Sequence, residues 1–163
     1  METERKWLID EQNIPYDLTQ AEKWEIEQAY ISFTPTIRVR SINGSEYILT
    51  VKGPPLEGTK HLSREEFEIA LSEKSFCALL KKHEGAVIRK TRYLVPRPDG
   101  LTEEIDIFRG ALRGLAYLEI EFETEAQALA FPAPAWVTRE VTCEKGYSNG
   151  ALARHGMPEG VGR

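Results

Sequence analysis

The chain has 163 residues, of which 41% are hydrophobic and 29% charged, and a formal net charge of −5. These values fit one domain with a real core and exclude a disordered tract, an apolar membrane-spanning run and a broadly basic nucleic-acid-binding surface. Acidic strand residues follow Met1 directly, where a leader would need an apolar run, so a cytoplasmic protein is expected; Cys77 and Cys143 lack metal-ligand spacing and are expected to be free.

The first segment, 2–8, sets Glu2, Glu4 and Lys6 two residues apart. Residues two apart in a strand point to one side, so two carboxylates and an ammonium share a face. That row suits a divalent metal plus a phosphate. A short helix is predicted over 17–23, capped by Asp17 or Thr19. A strand follows over 25–32. Strands 36–42 and 46–52 flank Asn43-Gly44, a strong hairpin signal. Gly53-Pro54-Pro55 is expected to end the second of these. Another alternating run covers 62–70. Residues 72–83 read as a helix with Phe76, Leu79 and Leu80 on one stripe, closed by Gly85. Strands are expected at 87–95, 102–109 and 116–124, with turn residues Pro96, Pro98, Asp99 and Gly100 between the first two. A short helix at 125–130, a strand at 137–142 and a helix after Ser148 complete the chain.

Along these strands the polar face is unusually charged. Arg38 pairs in parity with Arg40, Thr50 with Lys52, and Arg64 with Glu66 and Glu68. Lys90 pairs with Arg92, Glu104 with Asp106, and Glu119 with Glu121 and Glu123. The opposite faces are apolar: Val39, Leu49, Val51, Phe67, Ile105, Leu118 and Ile120 are examples. An open antiparallel sheet with a solvated charged face accounts for any one strand. The whole set favours an α+β, mainly antiparallel fold: eight strands closed into a barrel with charge inside, apolar faces outside and a few flanking helices. Such a barrel is wide enough for a small ligand. Enclosed charges must be paired or functional, because each unpaired ion costs several kcal/mol (roughly) in the interior. Cations on several walls grip a linear polyanion, and carboxylates on two walls hold Mg²⁺ or Mn²⁺, which prefer oxygen ligands.

At this point the sequence resembles a family. Glu2-x-Glu4-x-Lys6 is similar to the E-x-E-x-K signature of the CYTH domain superfamily, the triphosphate tunnel metalloenzymes. Ile-Glu-Gln-Ala-Tyr30, Arg38-Val-Arg40, Thr50-Val-Lys52-Gly and Arg64-Glu-Glu66-Phe-Glu68 resemble further family segments in order. So do Arg89-Lys90-Thr-Arg92-Tyr93, Glu104-Ile-Asp106 and the run from Gly114 to Glu119-Ile-Glu121-Phe. The resemblance spans 1–163 as a single tunnel domain. It implies divalent-metal-dependent hydrolysis of a triphosphate, inorganic tripolyphosphate first and ATP next. An adenylate cyclase, a thiamine triphosphatase and a non-catalytic polyphosphate- or nucleotide-binding module are the alternatives.

The resemblance also implies roles. Lys6, Arg38, Arg40, Lys52, Lys90 and Arg92 bind the phosphate chain, and Glu2, Glu4, Glu119 and Glu121 hold metal. Glu66, Glu68, Glu104 and Asp106 hold a second metal, position water or orient cations. Lys6 beside Tyr30 is expected to have a lowered pKa and to act as base. One segment departs. Val141-Thr-Cys-Glu144-Lys145-Gly146-Tyr147-Ser148-Asn149 carries Gly146 where the family has Arg, and Lys145 offers a cation from another angle without bidentate geometry. The expected partner is a small triphosphate, with no nucleic acid and no membrane, and a homodimer is the oligomer considered. His61, His83 and His155 are isolated and read as surface or capping residues, and Trp7, Trp24 and Trp136 as packing.

Overall fold

The structure is a computed structural model that describes residues 2–55, 57–58 and 63–161. Its strands are β1 (Glu2–Leu8), β2 (Glu22–Ser32), β3 (Thr36–Ile42), β4 (Glu46–Pro55), β5 (Ser63–Ala70), β6 (Glu84–Pro96), β7 (Thr102–Phe108), β8 (Ala116–Glu121) and β9 (Arg139–Glu140). Three α-helices join them: α1 (Glu73–Leu80), α2 (Glu125–Ala130) and α3 (Asn149–His155).

All pairings are antiparallel, and eight strands close in the order β1-β5-β4-β3-β2-β6-β7-β8. Strand β1 closes the barrel. It pairs with β8 along one edge, Glu4 opposite Glu121 and Lys6 opposite Glu119. Its other edge is shared, with Glu2 opposite Arg64 of β5 and Trp7 opposite Glu140 of β9. Closure leaves no edge through the central strands. The β3–β4 hairpin turns at Asn43 and Gly44, with φ of 53° and 61°, as the Asn-Gly pair requires.

The apolar core lies outside the barrel wall, as strand parity demands. One cluster sets Trp7, Ile105, Leu118, Ile120 and Phe122 of the β1–β7–β8 wall under residues 9–18, α2 and the 131–137 strap. A second covers β2 and β3 with Phe76 of α1. The third, with Phe108, Leu115, Tyr117, Tyr147 and Leu152, packs α3 against one end of the barrel. The outer face of β5 stays open among the described residues, with Phe67 64% and Ile69 45% exposed.

Several local expectations change. Residues 17–23 form no α-helix. Asp17 caps a single 3-10 turn at Leu18–Gln20, and β2 already starts at Glu22. Cross-strand pairing with β6 outcompetes one side-chain cap. Residues 137–142 contribute only the two-residue β9, because β1 offers just a short free edge there. Gly85 lies inside β6 rather than closing α1. A Cβ at that position would stand 2.4 Å from the Ala153 carbonyl oxygen, so this glycine lets α3 approach the wall. Strand β4 continues through Pro55, and α1 spans Glu73–Leu80 with Ser72 as N-cap. His83 donates to the Gly85 carbonyl through Nδ1 at 2.8 Å, and His61 and residue 62 lie outside the described residues. No described helix is long and apolar enough to cross a membrane.

Candidate active site

Even-numbered residues of β1 to β7 and odd-numbered residues of β8 face the lumen, which divides into two connected chambers. The first, about 520 Å³, lies toward Trp24, Arg40, Glu104 and Glu121. The second, about 440 Å³, lies toward Lys6, Tyr30, Thr36, Arg64 and the segment ending in α3. Glu2, Glu4, Arg38, Lys52 and Asn149 line both and form the waist.

The expected residues converge almost completely. Lys90 and Arg92 enter from β6 and meet Asp106 of β7, Lys90 at 2.5 Å and Arg92 through two hydrogen bonds of 2.7 and 2.8 Å. Arg92 also bridges Glu119 at 2.9 Å and pairs with Glu104. From β8, Glu119 lies 3.1 Å from the Lys6 ammonium. Across the lumen, Lys52 of β4 holds Glu2 at 2.7 Å and Glu66 at 3.3 Å. Arg38 approaches Glu66 at 3.9 Å and Arg40 approaches Glu68 at 3.6 Å. Two residues stand apart. Asp106 is fully buried behind Lys90 and Arg92 and does not line either chamber, so it orients cations. Lys145 is exposed at the α3 end, away from the Lys90–Arg92 cluster.

These pairs leave charge of both signs unsettled. Burial pushes the Glu4 carboxyl up, and Glu119 and Glu2 push it further against Lys6 and Lys52. Burial, then Glu2 and Glu4, do the same to Glu121. Burial raises Glu2 despite Lys52. Glu104 is pushed up to about 7 by burial, with Glu119 and Glu121 opposing the help of Arg92. On the basic side, burial and the guanidiniums of Arg38 and Arg92 push Arg40 down. Burial and Arg92 lower Lys90 against the pull of Asp106. The buried Nε atoms of Arg38 and Arg40, both amide atoms of Gln28 and Oδ1 of Asn149 have no hydrogen-bond partner. Buried polar atoms are rarely left so, and these face a chamber shaped for a ligand that would satisfy them.

The Lys6 expectation fails in one respect. Burial alone would lower its pKa, but Glu119 and Glu4 outweigh burial and hold the ammonium above its usual range. Tyr30 lines the same chamber, yet no hydrogen bond joins the two; its ring stacks on Phe33 at 5.3 Å between centroids. The aromatic against Lys6 is Tyr117, whose ring centre lies 5.2 Å from Nζ and whose hydroxyl donates to the Tyr147 carbonyl at 3.0 Å. Its parity with Glu119 and Glu121 was the available signal. Gln28 and Asn149 were missed too, Gln28 for lack of charge and Asn149 because it lies outside the strands.

The donor set is all oxygen, which fits a hard divalent cation rather than a thiolate-loving one. Glu4 and Glu121 face each other in register, with Glu2 and Glu119 next to them on the same strands. Among the described residues no three acidic groups are already drawn together as a cage, so side-chain rotation would have to complete one.

The chain is 38% identical over 156 residues to an inorganic triphosphatase of Nitrosomonas europaea, covering 93% of this chain and 96% of that one. An inorganic triphosphatase of Acetivibrio thermocellus is 36% identical over 131 residues, covering 78% and 79%. The crystal structure of the inorganic triphosphatase NE1496 superposes with a TM-score of 0.65 at 34% identity, covering 93% of this chain and 97% of that one. The CYTH domain model matches residues 1–151. A charged lumen, an eight-stranded closure and that match agree: this chain belongs to the CYTH domain family.

Proposed function

We propose that the protein is a divalent-metal-dependent inorganic triphosphatase, cleaving tripolyphosphate and water to pyrophosphate and orthophosphate inside the barrel. The observation that carries this reading is the lumen's double imbalance. Carboxylates pushed up by burial and then by one another, and cations pushed down by burial and then by one another, share one enclosed space. A metal–polyphosphate settles both at once, and the relatives that match nearly the full chain are named as inorganic triphosphatases.

Phosphoryl transfer needs positioning and charge neutralisation more than covalent chemistry. Arg38 and Arg40 of β3, Lys52 of β4 and Arg92 of β6 would clamp phosphate oxygens from three strands, with Lys90 behind them. Asp106 fixes the directions of Lys90 and Arg92. The family is generally metal-dependent, and Mg²⁺ or Mn²⁺ suits these carboxylates. Glu2, Glu4, Glu119 and Glu121 would hold it, with Glu66, Glu68 and Glu104 as the donors for a second ion. Bound there, the metal neutralises phosphate charge and polarises the bond to be cleaved. Lys6 stays protonated between Glu119 and Glu4, so its role is to donate to a phosphate oxygen, including the leaving one, rather than to take a proton from water. Tyr30 shares the Lys6 chamber and lies beside Arg38, which it helps hold as a cation after burial has pulled the other way.

The test is phosphate release from tripolyphosphate, ATP and thiamine triphosphate with Mg²⁺, Mn²⁺ or chelator, with cyclic AMP measured in the ATP samples. Metal-dependent turnover fastest on tripolyphosphate is expected. Cyclic AMP formation, or no turnover of tripolyphosphate, overturns the reading.

A further inference from the structure

The two mouths of the barrel differ in sign. Among the described residues, six lysines and arginines line the chamber at the α3 end against two carboxylates. At the Trp24 end the described lining has five against seven. The antiparallel order explains the split. Strands β1 and β4 finish at the α3 end with Lys6 and Lys52, while β5 begins there with Arg64. At the other end Glu68 of β5, Glu104 of β7 and Glu121 of β8 line the chamber.

Three of the α3-end cations lie outside the lumen proper. Arg64 on β5, Lys145 in the 3-10 turn Lys145–Tyr147 and Arg154 on α3 are all exposed around the opening. The Arg154 guanidinium stands 4.9 Å above the Phe33 ring, which fixes it at the rim. Gly146 lines the same opening, with open space where a Cβ would stand. Deeper in, Arg38 Nε and Asn149 Oδ1 are buried without partners and line the chamber the rim leads to. A polyanion approaching the Trp24 mouth meets carboxylates; one approaching the α3 mouth meets cations that continue inward to Arg38, Lys52 and Lys6.

We propose that the α3 mouth is the entrance for the polyphosphate substrate, and that Arg64, Lys145 and Arg154 form an anion-collecting rim that steers it in. The inference rests on the reading that the substrate is an inorganic polyphosphate. A low-dielectric cleft of one sign raises the arrival rate of an oppositely charged ligand by about 10- to 10³-fold, and salt screens the effect.

The test compares wild type, Arg64→Glu/Arg154→Glu and a control, Lys81→Glu/Lys82→Glu. The control makes the same change in net charge just after α1, at positions lining neither chamber. With tripolyphosphate and Mg²⁺ at about 20 mM ionic strength, the rim variant should lose about tenfold in kcat/KM with kcat within about twofold, and the gap should close near about 0.5 M salt. The control should stay within about twofold of wild type throughout. Equal loss in both variants, or none in the rim variant, overturns the proposal. Calorimetric titration with tripolyphosphate without metal reads the same comparison in the absence of turnover. Weak binding only in the rim variant supports the rim, and equal binding in all three overturns it. No turnover in wild type counts against the triphosphatase reading instead. Should the Glu variant melt early, Arg64→Gln/Arg154→Gln carries the test, with a smaller loss of the same sign.

Discussion

Glu4 and Glu121 stand directly opposite one another where β1 and β8 close the barrel, two carboxylates in cross-strand register. Like charges in that relation destabilise a sheet by roughly 0.2–1 kcal/mol. Among the described residues no cation relieves this pair fully: Lys6 is 3.9 Å from Glu4 and is shared with Glu119. Each carboxyl is pushed up, first by burial and then by other acids. Glu4→Gln and Glu121→Gln should therefore melt at or slightly above wild type in chelator, while metal-dependent turnover falls by at least about 100-fold. Melting curves beside phosphate-release rates check this, and normal turnover in either variant refutes the metal assignment.

Arg40→Ala removes a guanidinium crowded by Arg38 and Arg92. Its ion-pair partner, Glu68, is 43% exposed and stays solvated without it. Stability should change little. A lost charge-assisted bond of about 1.5–3 kcal/mol should raise KM for tripolyphosphate by about 10- to 100-fold, with a smaller change in kcat. Steady-state kinetics read the split, and an unchanged KM contradicts the clamp.

Asp106→Asn acts differently, because Asp106 is fully buried and serves both Lys90 and Arg92. Leaving buried cations with an uncharged partner costs about 3–5 kcal/mol. This variant should be strongly destabilised in urea, and a melt equal to wild type would show that Asp106 is not the anchor of the cluster.

Glu104 sets a pH dependence. Its carboxyl is pushed from 4.5 up to about 7, burial first. Ionising it is harder in the folded chain than in the unfolded one. Its stabilising contribution is therefore complete below about pH 4.5 and is lost as pH rises through about 7. The shift corresponds to at most about 3 kcal/mol. Asp106 and Glu119 act oppositely: burial raises them, but their cations win and hold them low, so they support the fold until strongly acid pH. In chelator, wild type should lose stability between about pH 5 and 8, and Glu104→Gln should flatten that slope. Parallel slopes in the two proteins would contradict the assignment.

Much of this was legible in the chain. Period-two parity put Glu2, Arg38, Lys52, Arg92 and Glu119 on one face of their strands, and the barrel makes that face a lumen. Asn43-Gly44 marked its hairpin, and the short helix expected at 125–130 is α2. What parity does not carry is who stands across the barrel. The protonated state of Lys6 depends on Glu119 from β8, and the contact of Lys6 with Tyr117 depends on the α3 segment holding Tyr147 in place. Asp106 shares parity with Glu104, yet Lys90 and Arg92 close over it and take it out of the lining. The failed helix at 17–23 has the same origin: a local cap was visible, and the long pairing of β2 with β6 that overrode it was not.

The most direct measurement is a crystal structure with tripolyphosphate and Mn²⁺, using the anomalous signal of the metal. The account predicts a Mn²⁺ peak among Glu2, Glu4, Glu119 and Glu121, with phosphate oxygens on Arg38, Arg40, Lys52 and Arg92. Tripolyphosphate seated outside the barrel, or a lumen filled only by water between unchanged ion pairs, would contradict it.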